Sequence, residues 1–255
     1  MIIKVKKKKI FYMNDNLSDI EKIFGIHACI SVLNNKRRKI KKIWCTEETL
    51  RKIRKNIIDE KNIKEIKIYN RSDLDKKLKT TIHQGIVIFC NKLKTSSVSK
   101  LLQNEKNILI LDSLVDPQNV GSIMRSAYIF GINCIFFNDR NSFSINEVLI
   151  KAASGSYEKI ELIPVKNIVN LIKNLKKYNY WVIGLDKYGK KNITTVDKNI
   201  KKALVLGSEN KGIRDLIKKK CDFLVKIVMH TNDKDIDSLN VSNAAAVLFY
   251  ELNRK

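Results

Sequence analysis

Three short segments hold polar residues whose types and spacing could do chemistry. The first, Leu111-Asp-Ser-Leu-Val-Asp-Pro-Gln-Asn-Val-Gly-Ser-Ile-Met-Arg125, offers Asn119 and Arg125. The second, Ala203-Leu-Val-Leu-Gly-Ser-Glu-Asn-Lys-Gly212, offers Gly207 and Glu209. The third, Ile236-Asp-Ser-Leu-Asn-Val-Ser-Asn-Ala-Ala-Ala-Val-Leu-Phe-Tyr250, places Asn240 and Ser242 before an alanine-rich run. Gly207 allows a backbone to approach a ligand closely. Glu209 could accept hydrogen bonds from a ligand or hold a neighbouring arginine. Asn119, Asn240 and Ser242 are also helix-cap types. Each segment alone therefore fits a plainer reading: a capped helix with a surface arginine, a strand-to-helix turn with an exposed acid, and a capped C-terminal helix. Other chemistries lack their parts. There is no G-x-G-x-x-G, Walker loop, H-E-x-x-H or G-x-S-x-G. His27, His83 and His230 lie far apart in sequence, so neither a histidine metal site nor a triad is expected.

Each segment falls at the C-terminal end of a strand or the start of a helix. That edge is where open α/β sheets bind ligands. Asn119 and Arg125 are six residues apart, about 240° around a helix, so within one helix they do not share a face. They converge only if Asn119 sits off the helix end or if something bound spans both. The strands read from the sequence are Asn107–Asp112, Cys134–Phe137, Lys159–Pro164, Tyr180–Leu185, Ala203–Gly207 and Phe223–Ile227. Helices are expected near 119–130, 145–153, 167–178, 210–219 and 242–253. Near-continuous apolar strands such as Ile108–Leu111 suit a parallel sheet covered on both faces.

A smaller α/β pattern precedes them: helix-like Ile20–Leu33, strand-like Ile40–Cys45, helix-like Glu47–Ile58, strand-like Ile63–Tyr69, a short helix near Asp73–Leu78, and strand-like Ile86–Cys90. Serine-rich Leu93–Lys100 reads as a linker, with a possible helical turn at Val98–Leu102. The expected organisation is a basic arm at 1–18, a small α/β unit at 19–92, a linker at 93–106 and a larger α/β unit at 107–255.

The apolar runs reach only about six residues, against about 20 for a membrane span, so no membrane segment is expected. The basic start lacks an apolar h-region, which argues against a secretory signal. Five cysteines with no C-x-x-C pair fit free thiols in a reducing cytoplasm better than disulfides or zinc. The net charge of +24 suggests a polyanionic partner. That inference is discounted, because 41 Lys against 9 Arg, with 26 Asn and 37 Ile, is a uniform compositional bias that raises lysine everywhere.

Taken in order, N-x-G-x-x-x-R after a strand, L-x-L-G-x-E-x-x-G, and S-L-N-V-S before an alanine-rich helix resemble the SPOUT RNA methyltransferases, specifically the SpoU/TrmH branch of ribose 2′-O-methyltransferases. Lys151-Ala-Ala-Ser-Gly-Ser156 resembles that family's small-residue turn, and Ile23-Phe-Gly-Ile-His-Ala28 with His83-Gln-Gly85 resembles the substrate-binding domain of its RlmB-type members. The resemblance implies a C-terminal α/β domain tied in a trefoil knot, with a mostly parallel sheet, and a small N-terminal α/β substrate-binding domain. It implies S-adenosylmethionine held by backbone groups at Gly207, Ile227 and Leu239, and a homodimer formed by the C-terminal domain. It implies catalytic roles for Arg125, Asn119, Glu209 and Asn240, and methylation of a guanosine ribose in large-subunit ribosomal RNA. Transfer RNA as substrate, or an RNA-binding module without catalysis, are the alternatives. The chain departs from the family in Ile227–Ser238, where Val228 replaces a common proline and no glycine is present.

Overall fold

The computed structural model describes residues 20–57, 63–230 and 238–254. The expected basic arm and most of the departing loop, 231–237, lie outside the described residues.

The chain builds two sheets. In the first, β1 (Ile20–Phe24), β2 (Ile40–Cys45), β3 (Glu65–Ile68) and β4 (Ile86–Asn91) take the order β1-β4-β2-β3. β4 is antiparallel to both neighbours, and β2 and β3 are parallel. The helices between them are α1 (Ile26–Leu33), α2 (Glu47–Ile53) and α3 (Arg71–Leu78). The single helix expected over Ile20–Leu33 is corrected to a strand and a helix. Gly25, at φ 89°, breaks the chain between them, a conformation glycine adopts without steric cost. The apolar spacing of the stretch satisfied both periods, and only the pairing of Ile20–Phe24 with β4 decides between them.

The second sheet holds β5 (Asn107–Asp112), β6 (Cys134–Asn138), β7 (Glu161–Val165), β8 (Trp181–Leu185), β9 (Lys191–Asn192), β10 (Lys202–Gly207) and β11 (Phe223–Lys226). Its order is β7-β6-β5-β10-β8-β11-β9, with every pair parallel. Helices α5 (Pro117–Ile129), α6 (Glu147–Ala153), α7 (Ile168–Lys177), α8 (Asp215–Lys218) and α9 (Val241–Asn253) accompany it. Alternate residues of the central strands feed opposite faces. Leu109, Leu111, Leu204, Leu206 and Ile183 join one apolar cluster, and Ile108, Ile110, Ala203, Val205 and Val182 join the other. Burying both faces explains why these strands read as unbroken apolar runs; each fully buried Leu, Ile or Val contributes about 1.5–3 kcal/mol.

One further expectation is corrected. The helix expected over 210–219 shrinks to the four residues of α8, because Ser208 and Gly212 pair with each other and close a turn ahead of it. The helical turn expected at Val98–Leu102 is present as α4 (Val98–Asn104), whose Leu101 and Leu102 are buried against the second sheet's core.

The first apolar cluster runs through both sheets, from Ile23 and Ile88 to Leu149 and Ile160. Charge reinforces that contact. Arg38, its side chain wholly buried, grips Glu158 through Nε at 2.9 Å and Nη2 at 2.6 Å, and reaches Glu21 at 2.7 Å. Tyr157 donates to the same Glu21 at 2.5 Å, and Asn35 donates to Glu158 at 2.7 Å. No described helix is long and apolar enough to cross a membrane.

Candidate functional site

The site forms at the C-terminal edge of the second sheet. β5 ends at Asp112, and Asp116 then caps α5 by accepting from the backbone N–H groups of Gln118 and Asn119, with Pro117 at the first helical position. The cap is therefore Asp116 rather than Asn119. Proline lacks only a donor that a helix start leaves unpaired anyway. Asn119 lies inside the first turn of α5, and its side chain is free to face the neighbouring strand end.

There it meets two of the other predicted residues. Asn119 Nδ2 donates to Glu209 Oε1 at 2.7 Å, and Asn240 Nδ2 donates to Asn119 Oδ1 at 3.1 Å. Asn240 caps α9, its Oδ1 accepting from Ser242 N at 2.9 Å and Ser242 Oγ at 2.6 Å. The three motifs, up to 121 residues apart in sequence, thus join in one chain, Glu209–Asn119–Asn240–Ser242. Both ends of the Asn119 amide are used, so its orientation is set by its neighbours. One oxygen of Glu209 accepts from Asn119, and the other has no partner among the described residues.

Arg125 does not join them. It lies in α5 with Asn119, so their faces diverge as the helical geometry requires. It is exposed and makes no hydrogen bond or ion pair among the described residues. Within one chain, Asn119, Glu209 and Asn240 therefore meet one another and not Arg125. Arg125 instead sits on a face with exposed Tyr128 and Ile129, three and four residues on. α9 packs against α5 and adds exposed Val247 and Tyr250.

Beside the polar chain lies a cavity of about 550 Å³, lined by Gly207, Ile227 and Leu239, the three residues expected to hold the cofactor. Leu185, Leu206 and Met229 add apolar wall, and Asp186, Lys218 and Glu209 add charge. A cleft of this size whose wall is evenly shared between apolar and polar groups suits a nucleoside-sized ligand that carries charge. Gly207 serves it differently than the sequence suggested. A Cβ there would lie 2.0 Å from the Gly212 carbonyl carbon and 2.1 Å from Ile213 N. The close approach is made by the protein's own turn, folded back on the end of β10, rather than by the ligand. That turn forms part of the cavity wall.

The N-terminal signatures are brought together as well. Gln84 Oε1 accepts from Ile26 N at 3.1 Å, joining His83-Gln-Gly85 to Phe24-Gly-Ile26. His83 is fully buried; its Nε2 meets Asp75 Oδ1 at 2.5 Å and its Nδ1 accepts from Gly85 N at 2.9 Å. These contacts make His83 the brace of the turn before β4, the ordinary turn or core histidine that the residue alone suggests.

Sequence reasoning passed over Asp112 and Arg214. Asp112 is fully buried, and Arg214 Nε donates to its Oδ1 at 2.8 Å. The signal was an acid closing an otherwise apolar strand. Its partner, 102 residues away, leaves no trace in local pattern. No group of His, Cys, Asp and Glu that could hold a metal occurs among the described residues.

Comparison with known proteins gives two family matches. Residues 106–250 match the SpoU rRNA Methylase family, and residues 22–96 match the RNA 2′-O ribose methyltransferase substrate-binding family. The chain is 35% identical over 241 residues to the TrmH-family protein YacO of Bacillus subtilis, covering 91% of this chain and 95% of that one. It is 32% identical over 247 residues to the 23S rRNA (guanosine-2′-O-)-methyltransferase RlmB of Coxiella burnetii, covering 94% and 97%. Among solved structures, the SpoU methyltransferase AviRb of Streptomyces viridochromogenes in complex with AdoMet superposes with a TM-score of 0.76 at 18% identity, covering 93% and 90%. The AdoMet-bound rRNA methyltransferase of Sinorhizobium meliloti gives 0.76 at 19%, covering 93% and 88%.

Proposed function

We propose a substrate and a mechanism from one premise: the chain belongs to the SpoU family of S-adenosylmethionine-dependent RNA methyltransferases. The proposed reaction transfers a methyl group to the ribose 2′-hydroxyl of a guanosine in large-subunit ribosomal RNA. The observation that carries it is the Glu209–Asn119–Asn240 chain at the mouth of the 550 Å³ cavity. The activity named for the 32% identical Coxiella burnetii relative, and the match of residues 22–96 to a 2′-O substrate-binding model, support the choice of atom and RNA.

Gly207, Ile227 and Leu239 would hold S-adenosylmethionine, which when bound would supply an electrophilic methyl carbon. The chain's own residues must bring the hydroxyl in line and manage its proton. The unpartnered oxygen of Glu209 is placed to accept a hydrogen bond from a hydroxyl, with Asn119 fixing the carboxylate's direction at 2.7 Å. Asn240 in turn fixes Asn119, and Ser242 fixes Asn240. The guanidinium of Arg125 offers hydrogen-bond donors only. Its planar fork suits a two-point grip on the neighbouring phosphate, which also stabilises negative charge developing on the ribose oxygen.

Arg125 reaches that position from a second copy of the chain. Its exposed face of α5, flanked by Tyr128, Ile129, Val247 and Tyr250, supports a homodimer in which it serves the partner's site. The proposal includes the trefoil knot. Its support is that β10 lies between β5 and β8, while the backbone at Gly189 lies so close on β11 that a Cβ would come within 2.5 Å of the Val225 carbonyl carbon. The division into a substrate-binding unit at 19–92 and a methyltransferase unit at 107–255, acting in the cytoplasm, belongs to the same reading.

Mapping 2′-O-methyl sites on ribosomal and transfer RNA, from cells with and without the gene, tests the substrate. Loss of one guanosine methyl in large-subunit RNA is expected. Loss confined to transfer RNA would overturn it.

A further inference from the structure

Two buried carboxylates stand at the C-terminal ends of the strands that flank β10. Asp112 ends β5 and is the register partner of Gly207. Asp186 follows the end of β8. Each is gripped by a cation from the chain just beyond the Glu209 turn. Arg214 holds Asp112 three times: backbone N to Oδ2 at 2.9 Å, Nε to Oδ1 at 2.8 Å and Nη2 to Oδ1 at 2.7 Å. Its Nη2 also reaches Asn138 Oδ1, at the end of β6, at 3.5 Å. Lys218 holds Asp186 Oδ2 at 2.7 Å. The turn between strand and clamps is closed by Gly212 N donating to Ser208 O at 2.8 Å, and Glu209 sits within it.

The two grips face different work. Asp186 and Lys218 both line the cofactor cavity. Asp112 and Arg214 do not line it, and lie on the side of β5, whose chain continues directly into α5 and Asn119. A guanidinium and a backbone N–H from one residue, both bound to one carboxylate, fix direction as well as distance. They fix the Glu209 turn relative to the strand that launches Asn119.

We propose that Arg214 is a positioning residue for methyl transfer. Acting through Asp112, it sets the Glu209 turn against the start of α5 so that Glu209 meets Asn119. The proposal rests on the reading of Glu209, Asn119 and Asn240 as the transfer site. Misplacing a reacting group by about 1 Å can cost up to about a hundredfold in rate; the cofactor, which the turn walls on one side only, keeps Leu185, Ile227 and Leu239 on the other sides and loses less.

The test uses the full chain in excess over total RNA from a strain lacking the gene, with saturating tritiated S-adenosylmethionine in single turnover. Cofactor affinity is measured by calorimetry, and melting is followed separately. Arg214→Gln should slow transfer by about tenfold or more and weaken cofactor binding by clearly less than it slows transfer. Arg214→Lys, which keeps the charge opposite Asp112 but loses the fork, should recover part of the rate and carries the test if Arg214→Gln fails to fold. Lys218→Met should weaken cofactor binding instead. Wild-type transfer rates in either Arg214 variant would overturn the proposal, as would cofactor affinity falling in step with rate. Asn119→Ala and Glu209→Ala run alongside. If those two transfer normally, the underlying site reading fails; if they are inactive while Arg214→Gln is normal, only the positioning role fails.

Discussion

Replacing Gly207 with alanine tests the proposal that the turn after β10 builds the cofactor cavity. The added Cβ would stand 2.0 Å from Gly212 C, 2.1 Å from Ile213 N and 2.3 Å from Gly212 O, all backbone atoms. Tolerable contact begins near 3.4 Å, so the turn must retreat by 3.4 − 2.0 = 1.4 Å. It cannot retreat freely. Gly212 is tied to Ser208, and Arg214, two residues on, is tied to Asp112. Overpacking of this kind costs about 1–3 kcal/mol. The displaced residues, Ser208 to Gly212, line the cavity. Gly207→Ala should therefore lose about 1–3 kcal/mol in urea unfolding and bind S-adenosylmethionine about tenfold or more weakly by calorimetry, a loss of at least about 1.4 kcal/mol. Gly212→Ala is the control: its Cβ meets nothing nearer than 4.0 Å, but its φ of 64° is strained for alanine, costing about 1–2 kcal/mol of stability with a smaller effect on the cofactor. If Gly207→Ala binds the cofactor within about threefold of wild type, the turn does not shape the cavity and the reasoning fails.

Arg125→Ala should abolish transfer with cofactor affinity within a few-fold, and Arg125→Lys should rescue poorly because an ammonium lacks the planar two-point grip. Mixing inactive Arg125→Ala and Glu209→Ala chains should restore about a quarter of wild-type activity, since closed two-fold symmetry makes half the dimers mixed with one intact site each; no restoration would put Arg125 in its own chain's site. Arg38→Met leaves Glu158, only 1% exposed, without its counter-charge; unfolding should show a loss of about 3–5 kcal/mol, largely recovered in Arg38→Met/Glu158→Leu. Burial pushes the thiols of Cys45 up to about 11 and of Cys90 and Cys221 up to about 12, from an ordinary 9.0. Their contribution to stability is complete below pH 9.0 and is lost as pH rises toward those values. Alkylation at pH 8 should accordingly be slow in the native protein and fast in urea, and rapid native labelling of Cys90 would contradict its burial.

β5 was legible to the residue because Ile108–Leu111 is apolar on both faces, a pattern only a fully covered strand requires. α9 was legible because Asn240 and Ser242 precede a run of small and apolar residues. Where a stretch satisfied two periods at once, as in Ile20–Leu33, local pattern could not decide and strand pairing did. α8 was overread because Gly212 and the bond from Arg214 N to Asp112 belong to tertiary geometry. The Asp116 cap was available in the Asp-Pro pair, since proline favours the first helical position. The order of the three motifs in sequence carried the family. Which of them touch could not be read, because Asn119 meets partners 90 and 121 residues away.

The central claim is that this site methylates a ribose oxygen of guanosine. Purified protein, S-adenosylmethionine carrying a heavy methyl and unmodified large-subunit ribosomal RNA should yield, after digestion to nucleosides, heavy 2′-O-methylguanosine by mass spectrometry, and none with Glu209→Ala or Arg125→Ala. Label on a nucleobase, on another nucleoside, or undiminished in those variants would contradict the account.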